Sequence, residues 1–155
     1  MSWDFEVKEL INGGMLYSAA VLNKEHGNLE NVILSQKGGI TVSNEEAAAI
    51  ILWERQGVLA KQMLTCDDRS YVITTVNKHT MYGRFVPLPN SLASGGVVVC
   101  RFPTAIALLF YSGSKYLPSS LCESWTKGIL NHCCAIRLIS WKRISITSRR
   151  QEFSA

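Results

Sequence analysis

Ser94–Gly113 reads SGGVVVCRFPTAIALLFYSG, and this stretch decides the fold. Val97–Cys100 and Ala105–Tyr111 are short, β-rich and apolar throughout, joined by the tight Arg101-Phe102-Pro103-Thr104 link. Apolar runs of strand length bounded by glycine and serine predict strands buried on both faces. An antiparallel hairpin at the centre of a sheet is therefore expected.

Working outward, Trp3, Val7, Leu10 and Ile11 recur at helical spacing behind Ser2, which predicts an opening amphipathic helix stopped by Gly13-Gly14. Tyr17–Leu22 and Val32-Ile33-Leu34 read as strands, the second ending in a Lys37-Gly38-Gly39 turn. Ser43-Asn44-Glu45-Glu46 is a capping box that starts a helix over Asn44–Trp53, with Ala47, Ile50 and Ile51 on its apolar face. Short strands follow at Gln62–Leu64, Tyr71–Val76 and Thr80–Val86, separated by turns at Asp67-Asp68-Arg69 and Asn77-Lys78-His79. Pro87–Ser94 and Tyr111–Pro118 read as loops, and Ser119–Leu130 as a last helix. Short links imply a meander, so the expected class is α/β (α+β): a central antiparallel sheet covered by helices.

At 155 residues, 47% apolar and 18% charged, the chain has the composition of one globular domain. No apolar run reaches the ~20 residues of a membrane span, and the first residues lack a signal-peptide pattern. Cys66, Cys100, Cys122, Cys133 and Cys134 are an odd set, expected to be reduced thiols in a cytoplasmic protein. The net charge of +4 comes from the last third, where Arg101, Lys115, Lys127, Arg137, Lys142, Arg143, Arg149 and Arg150 face only Glu123 and Glu152. Such a gradient suits an acidic partner or an anionic membrane, or is a solvated basic tail.

Enzymatic chemistry finds little support. His132-Cys133-Cys134 lacks the C-x-x-C spacing of a zinc site, and no metal or other cofactor is expected. His26, His79 and His132 have no Gly-x-Ser-x-Gly elbow beside them, and there is neither a P-loop nor a G-x-G-x-x-G. Tyr71, Tyr82 and Phe85 beside Arg69 and Arg84 fit cross-strand packing better than a nucleic-acid platform.

Several markers appear together in one order: Ser2-Trp3, Ser18-Ala19-Ala20, Gly39-Ile40 before Glu45 and Glu46, Tyr71-Val72-Ile73, Gly95-Gly96-Val97-Val98-Val99, and Ala105–Tyr111. In this the chain resembles the profilins over Met1–Leu130. The resemblance implies N- and C-terminal helices packed together on one face of the sheet, with shorter helices on the other. It makes residues 1–130 the domain and 131–155 a basic extension, disordered or loosely docked.

The resemblance also implies function. It suggests a monomeric, non-catalytic protein of the cytoplasm and cytoskeleton that binds monomeric actin and regulates filament assembly. Its actin surface would comprise Arg69, Thr74, Arg84, Lys115, Tyr116, Ser120 and Glu123, with Arg69 and Arg84 on one arginine-bearing face. Thr74 and Val86 stand where bases are common in the family, which implies a weaker electrostatic attraction. A polyproline surface for proline-rich proteins would use Trp3, Ile33, Gly128 and Ile129. Ile33 replaces the usual strand Trp there, and Glu6 a helix aromatic, with Phe5, Trp125 or His132 as substitutes. Anionic phospholipids, including phosphoinositides, would meet Lys127, Arg137, Lys142 and Arg143. The alternative is an adaptor or scaffold of the same fold without actin affinity, docking a partner or an anionic membrane through its basic tail.

Overall fold

The structure is a computed structural model that describes residues 3–13, 16–25, 27–86, 95–111 and 126–128. The chain divides into two units, Met1–Pro118 and Ser119–Ala155. Only residues 126–128, which are helical, are described in the second. The expected loops at Pro87–Ser94 and 112–118, the rest of the last helix and the 131–155 extension lie outside the described residues.

The first unit is a seven-stranded antiparallel sheet with helices, an α+β fold. Its elements are α1 (Trp3–Asn12), β1 (Ser18–Asn23), β2 (Ile33–Gly38), α2 (Asn44–Arg55), β3 (Met63–Cys66), β4 (Arg69–Val76), β5 (Thr80–Phe85), β6 (Gly96–Arg101) and β7 (Ala105–Tyr111). Two 3-10 turns, Leu29–Asn31 and Lys61 with its two predecessors, precede β2 and β3. Spatial order is β2-β1-β7-β6-β5-β4-β3, so β3 to β7 form a meander and the β1–β2 hairpin adds to its β7 side. The expected hairpin is β6–β7, and it sits in the interior of the sheet with Val98 opposite Leu109.

One face of the sheet carries Ala20, Leu22, Leu64, Tyr71, Val97, Val99, Leu108 and Phe110, which pack with Ala47, Ile50 and Ile51 of α2. The capping box of α2 is complete: Ser43 Oγ accepts from the Glu46 amide at 3.1 Å, and Glu46 Oε1 accepts from the Ser43 amide at 3.0 Å. The same Glu46 oxygen accepts from the Asp67 amide at 3.1 Å, and Asp67 Oδ2 accepts from Thr41 N at 3.3 Å. One carboxylate thus starts the helix and ties it to the β3–β4 turn. Val7, the buried residue of α1, lies outside that cluster, and α1 packs over β1 and β2 on the opposite face.

Small residues let the β1–β2 hairpin close. Ser18 is fully buried; its Oγ lies 3.0 Å from the carbonyls of Lys37 and Ile40 and accepts from the Ile40 amide at 3.1 Å. Gly38 has φ +115°, and a side chain there would strike Ser18, so glycine is required on both counts. A Cβ on Gly39 would fall into the ring of Tyr17. The turn expected from Lys37 starts later, because Lys37 and Gly38 still pair with Ala19 and Ser18. Past Gly39, the Gln36 side-chain amide pairs with both the N–H and the C=O of Val42, continuing the ladder with a side chain.

Candidate functional site

The outer face of β3, β4 and β5 is a part of the sheet that the described helices leave open. Residues directly opposite one another share a face, and Met63, Val72 and Arg84 form one such cross-strand row. Met63 is 50% exposed, Val72 39% and Val86 42%, and Arg84 is exposed among them. Thr65 and Ser70 face each other in the next row, where the Val86 amide donates to the Ser70 carbonyl at 3.0 Å. The first row continues past Arg84 to Gly96 and Tyr111. A side chain at Gly96 would collide with the Gly83 carbonyl and the Tyr111 hydroxyl, so the inner end of the row is filled by tyrosine.

Arg69 does not join this face. Tyr71 opposes Phe85 while Val72 opposes Arg84, so Arg69, two residues before Tyr71, points to the α2 side and Arg84 away from it. The Arg69 guanidinium lies 5.4 Å from the Phe85 ring centroid and 6.0 Å from that of Tyr17. Such cation–π contacts make Arg69 a bridge between the start of β1 and the β4–β5 pair. Tyr71 packs beneath it against Phe85 and Phe110, with centroids 5.6 and 5.7 Å away. Burial pushes the Tyr71 hydroxyl up to about 12, with the positive Arg69 pulling against it. The Cys66 thiol is likewise pushed up to about 12, by burial first and then by the carboxylates of Glu46 and Asp67. The expectation of a single arginine-bearing face is corrected here: strand alternation puts the two guanidiniums on opposite sides.

Thr74 is exposed and occupies a register shift between Ile73 and Thr75. Its hydroxyl donates to the Tyr82 carbonyl at 3.2 Å, closing the bulge. The bulge brings Thr75, rather than Thr74, opposite Tyr82. Lys115, Tyr116, Ser120 and Glu123 lie outside the described residues.

Trp3 and Ile33, expected to share a proline-binding platform, are not brought together. Trp3 is half-buried, its ring tilted 44° against Phe102 at 5.4 Å. Ile33 opposes Leu22 and packs on the α2-side core, the face that α1 does not cover. Strand parity is the reason, because the register shift after Val21 pairs Leu22 with Ile33. Phe5 of α1 is 60% exposed and presents the free aromatic surface of that helix. Gly128 and Lys127 are exposed, whereas Ile129, Arg137, Lys142 and Arg143 lie outside the described residues.

The contributions of Met63 and Val72 escaped the sequence reading, which placed Val86 at this surface only as a missing base. The alternation of exposed Met63 and Thr65 with buried Leu64 and Cys66 was the available signal for the first. No group of three metal-ligating side chains occurs among the described residues, and no described helix is long and apolar enough to cross a membrane.

Comparison with known proteins gives one family. The family description that matches is Profilin, over residues 1–129. Among solved structures, Schizosaccharomyces pombe profilin is 14% identical with a TM-score of 0.65, the match covering 87% of this chain and 98% of that one. Acanthamoeba castellanii profilin II is 18% identical with a TM-score of 0.63, covering 84% and 98%. Mouse profilin IIa, in complex with a double repeat from the FH1 domain of mDia1, is 17% identical with a TM-score of 0.63, covering 85% and 99%. No curated protein sequence matches the chain.

Proposed function

The chain belongs to the profilin family, a family of non-enzymatic actin-binding proteins, and from that premise we propose that it binds monomeric actin and regulates filament assembly in the cytoplasm. The observation that carries this reading is the open outer face of β3–β5, where Arg84 stands among exposed Met63, Val72 and Val86. An exposed apolar patch with a charge in it is the usual surface for a protein partner. Thr74 borders it, and Lys115, Tyr116, Ser120 and Glu123 are proposed to extend it. The mechanism is mass action: a monomer held by this chain is withdrawn from free assembly. Spontaneous actin polymerisation with the purified chain tests it. A lag that lengthens in proportion to added protein is expected, and an unchanged lag defeats the reading.

Proline-rich segments are a second proposed ligand, held by Trp3 with Phe5 as the substitute aromatic. A polyproline helix offers rigid ring faces to such side chains at little entropic cost. Trp3 is half-buried against Phe102 and separated from Ile33, so this binding is proposed as weak. Trp emission during polyproline titration should change, and a flat titration retires the site. Anionic phospholipid binding through Lys127, Arg137, Lys142 and Arg143 rests on the basic C-terminal third, each base being worth about 1 kcal/mol near an anionic leaflet. Co-sedimentation with liposomes that is indifferent to anionic lipid would exclude it.

The inward turn of Arg69 favours the second reading, a profilin-fold adaptor without actin affinity. The polymerisation assay separates the two directly.

A further inference from the structure

The outer face of β3–β5 has an unusual balance of forces for a docking surface. Its cross-strand row is Met63, Val72 and Arg84, and Val86, two residues beyond the arginine, lies in the next row beside Ser70. Three of these four side chains are apolar and each is at least 39% exposed. Arg84 is the one cation that β3, β4 and β5 present on this side, because Arg69 is turned inward between Tyr17 and Phe85. Among the described residues Arg84 makes no ion pair; the one salt bridge joins Lys24 to Glu54. Its flanking rows hold Thr65, Ser70 and Thr75, which are neutral.

We infer that this face recognises its partner through apolar contact around Arg84, the one ionic anchor that β3–β5 supply, and so fits an apolar surface bearing a carboxylate opposite it. This rests on the actin reading above, and the occupant to which it commits is that surface of an actin monomer. Docking removes Met63, Val72 and Val86 from water, and their closure dries the guanidinium between them. A forked guanidinium so enclosed pairs bidentately with a carboxylate, and the pair is screened little by salt once covered. Affinity then comes from desolvation, whereas a diffusely basic face would steer an acidic partner electrostatically and lose it in salt.

The test is the dissociation constant for monomeric actin, measured across salt for the full chain and for two variants. Raising salt from about 50 to about 500 mM should change the Kd less than about threefold. Arg84→Glu should weaken binding about a hundredfold, since it sets two dried carboxylates against each other. Val72→Ser should weaken binding about tenfold. Both side chains are exposed, so both variants should melt within about 2 °C of the parent. A Kd that weakens about tenfold or more over this salt range overturns the inference while leaving actin binding in place. Arg84→Glu binding like the parent does the same. A parent chain that does not bind actin overturns the actin reading itself, and this inference with it.

Discussion

The interior of the sheet and its β3–β5 end obey different rules. In β1, β7 and β6 every residue of Ser18–Leu22, Gly96–Cys100 and Ala105–Phe110 is buried. At the β3–β4–β5 end burial alternates, as in Met63–Cys66, or is lost, as over Thr74–Val76. Strands covered on both faces are written as unbroken apolar runs, and strands covered on one face alternate. The interior therefore holds the fold together, and the β3–β5 end keeps exposed apolar side chains to offer a partner.

Deleting volume in the closed interior should have the largest effect. Leu108 is fully buried in the α2-side core, so Leu108→Ala should lower unfolding free energy by about 3 kcal/mol in a urea titration. A loss below about 1 kcal/mol, on the order expected of surface sites, would mean that the interior is not close-packed.

Alkali should weaken the α2-side packing of β3 and β4. In the folded chain Cys66 and Tyr71 hold their protons until about pH 12, whereas the unfolded chain releases them from about 9 and 10. The unfolded state then binds fewer protons, so stability is complete below pH 9 and falls as pH rises toward 12. A urea midpoint that stays flat across this window would contradict the burial of both groups.

Arg69→Ala removes the guanidinium that bridges Tyr17 and Phe85, and should cost about 1 to 2 kcal/mol of stability. Val72→Ala, on the same strand but on the open face, should cost less than about 0.5 kcal/mol. Equal losses from these two would erase the distinction between an inward and an outward side of β4.

The β6–β7 hairpin was legible because VVVC and AIALLF leave no other reading, and the α2 cap because its spacing is itself the mechanism. What escaped was parity. Whether Arg69 and Arg84 share a face depends on which residues oppose each other across β4 and β5, and the hydrophobic pattern of those half-exposed strands sets this weakly. The bulge at Thr74 has no local mark, since Ile73-Thr74-Thr75 reads as ordinary strand. For the same reason Ile33 passed for a platform residue beside Trp3, although its partner Leu22 commits it to the other face.

Gly38 is exposed, ends β2, and would pass for a residue of no consequence. Yet its backbone stands at φ +115°, and a Cβ there would lie 2.5 Å from the Ser18 Cα and 2.6 Å from the Tyr17 carbonyl oxygen, main-chain atoms that cannot swing aside. Accessibility to water and freedom to vary are separate properties, and at this position the first is present without the second. A library of substitutions over the surface of the first unit should therefore show a gap at Gly38, whereas Gly39, which meets only the tip of the exposed Tyr17 side chain, should tolerate change.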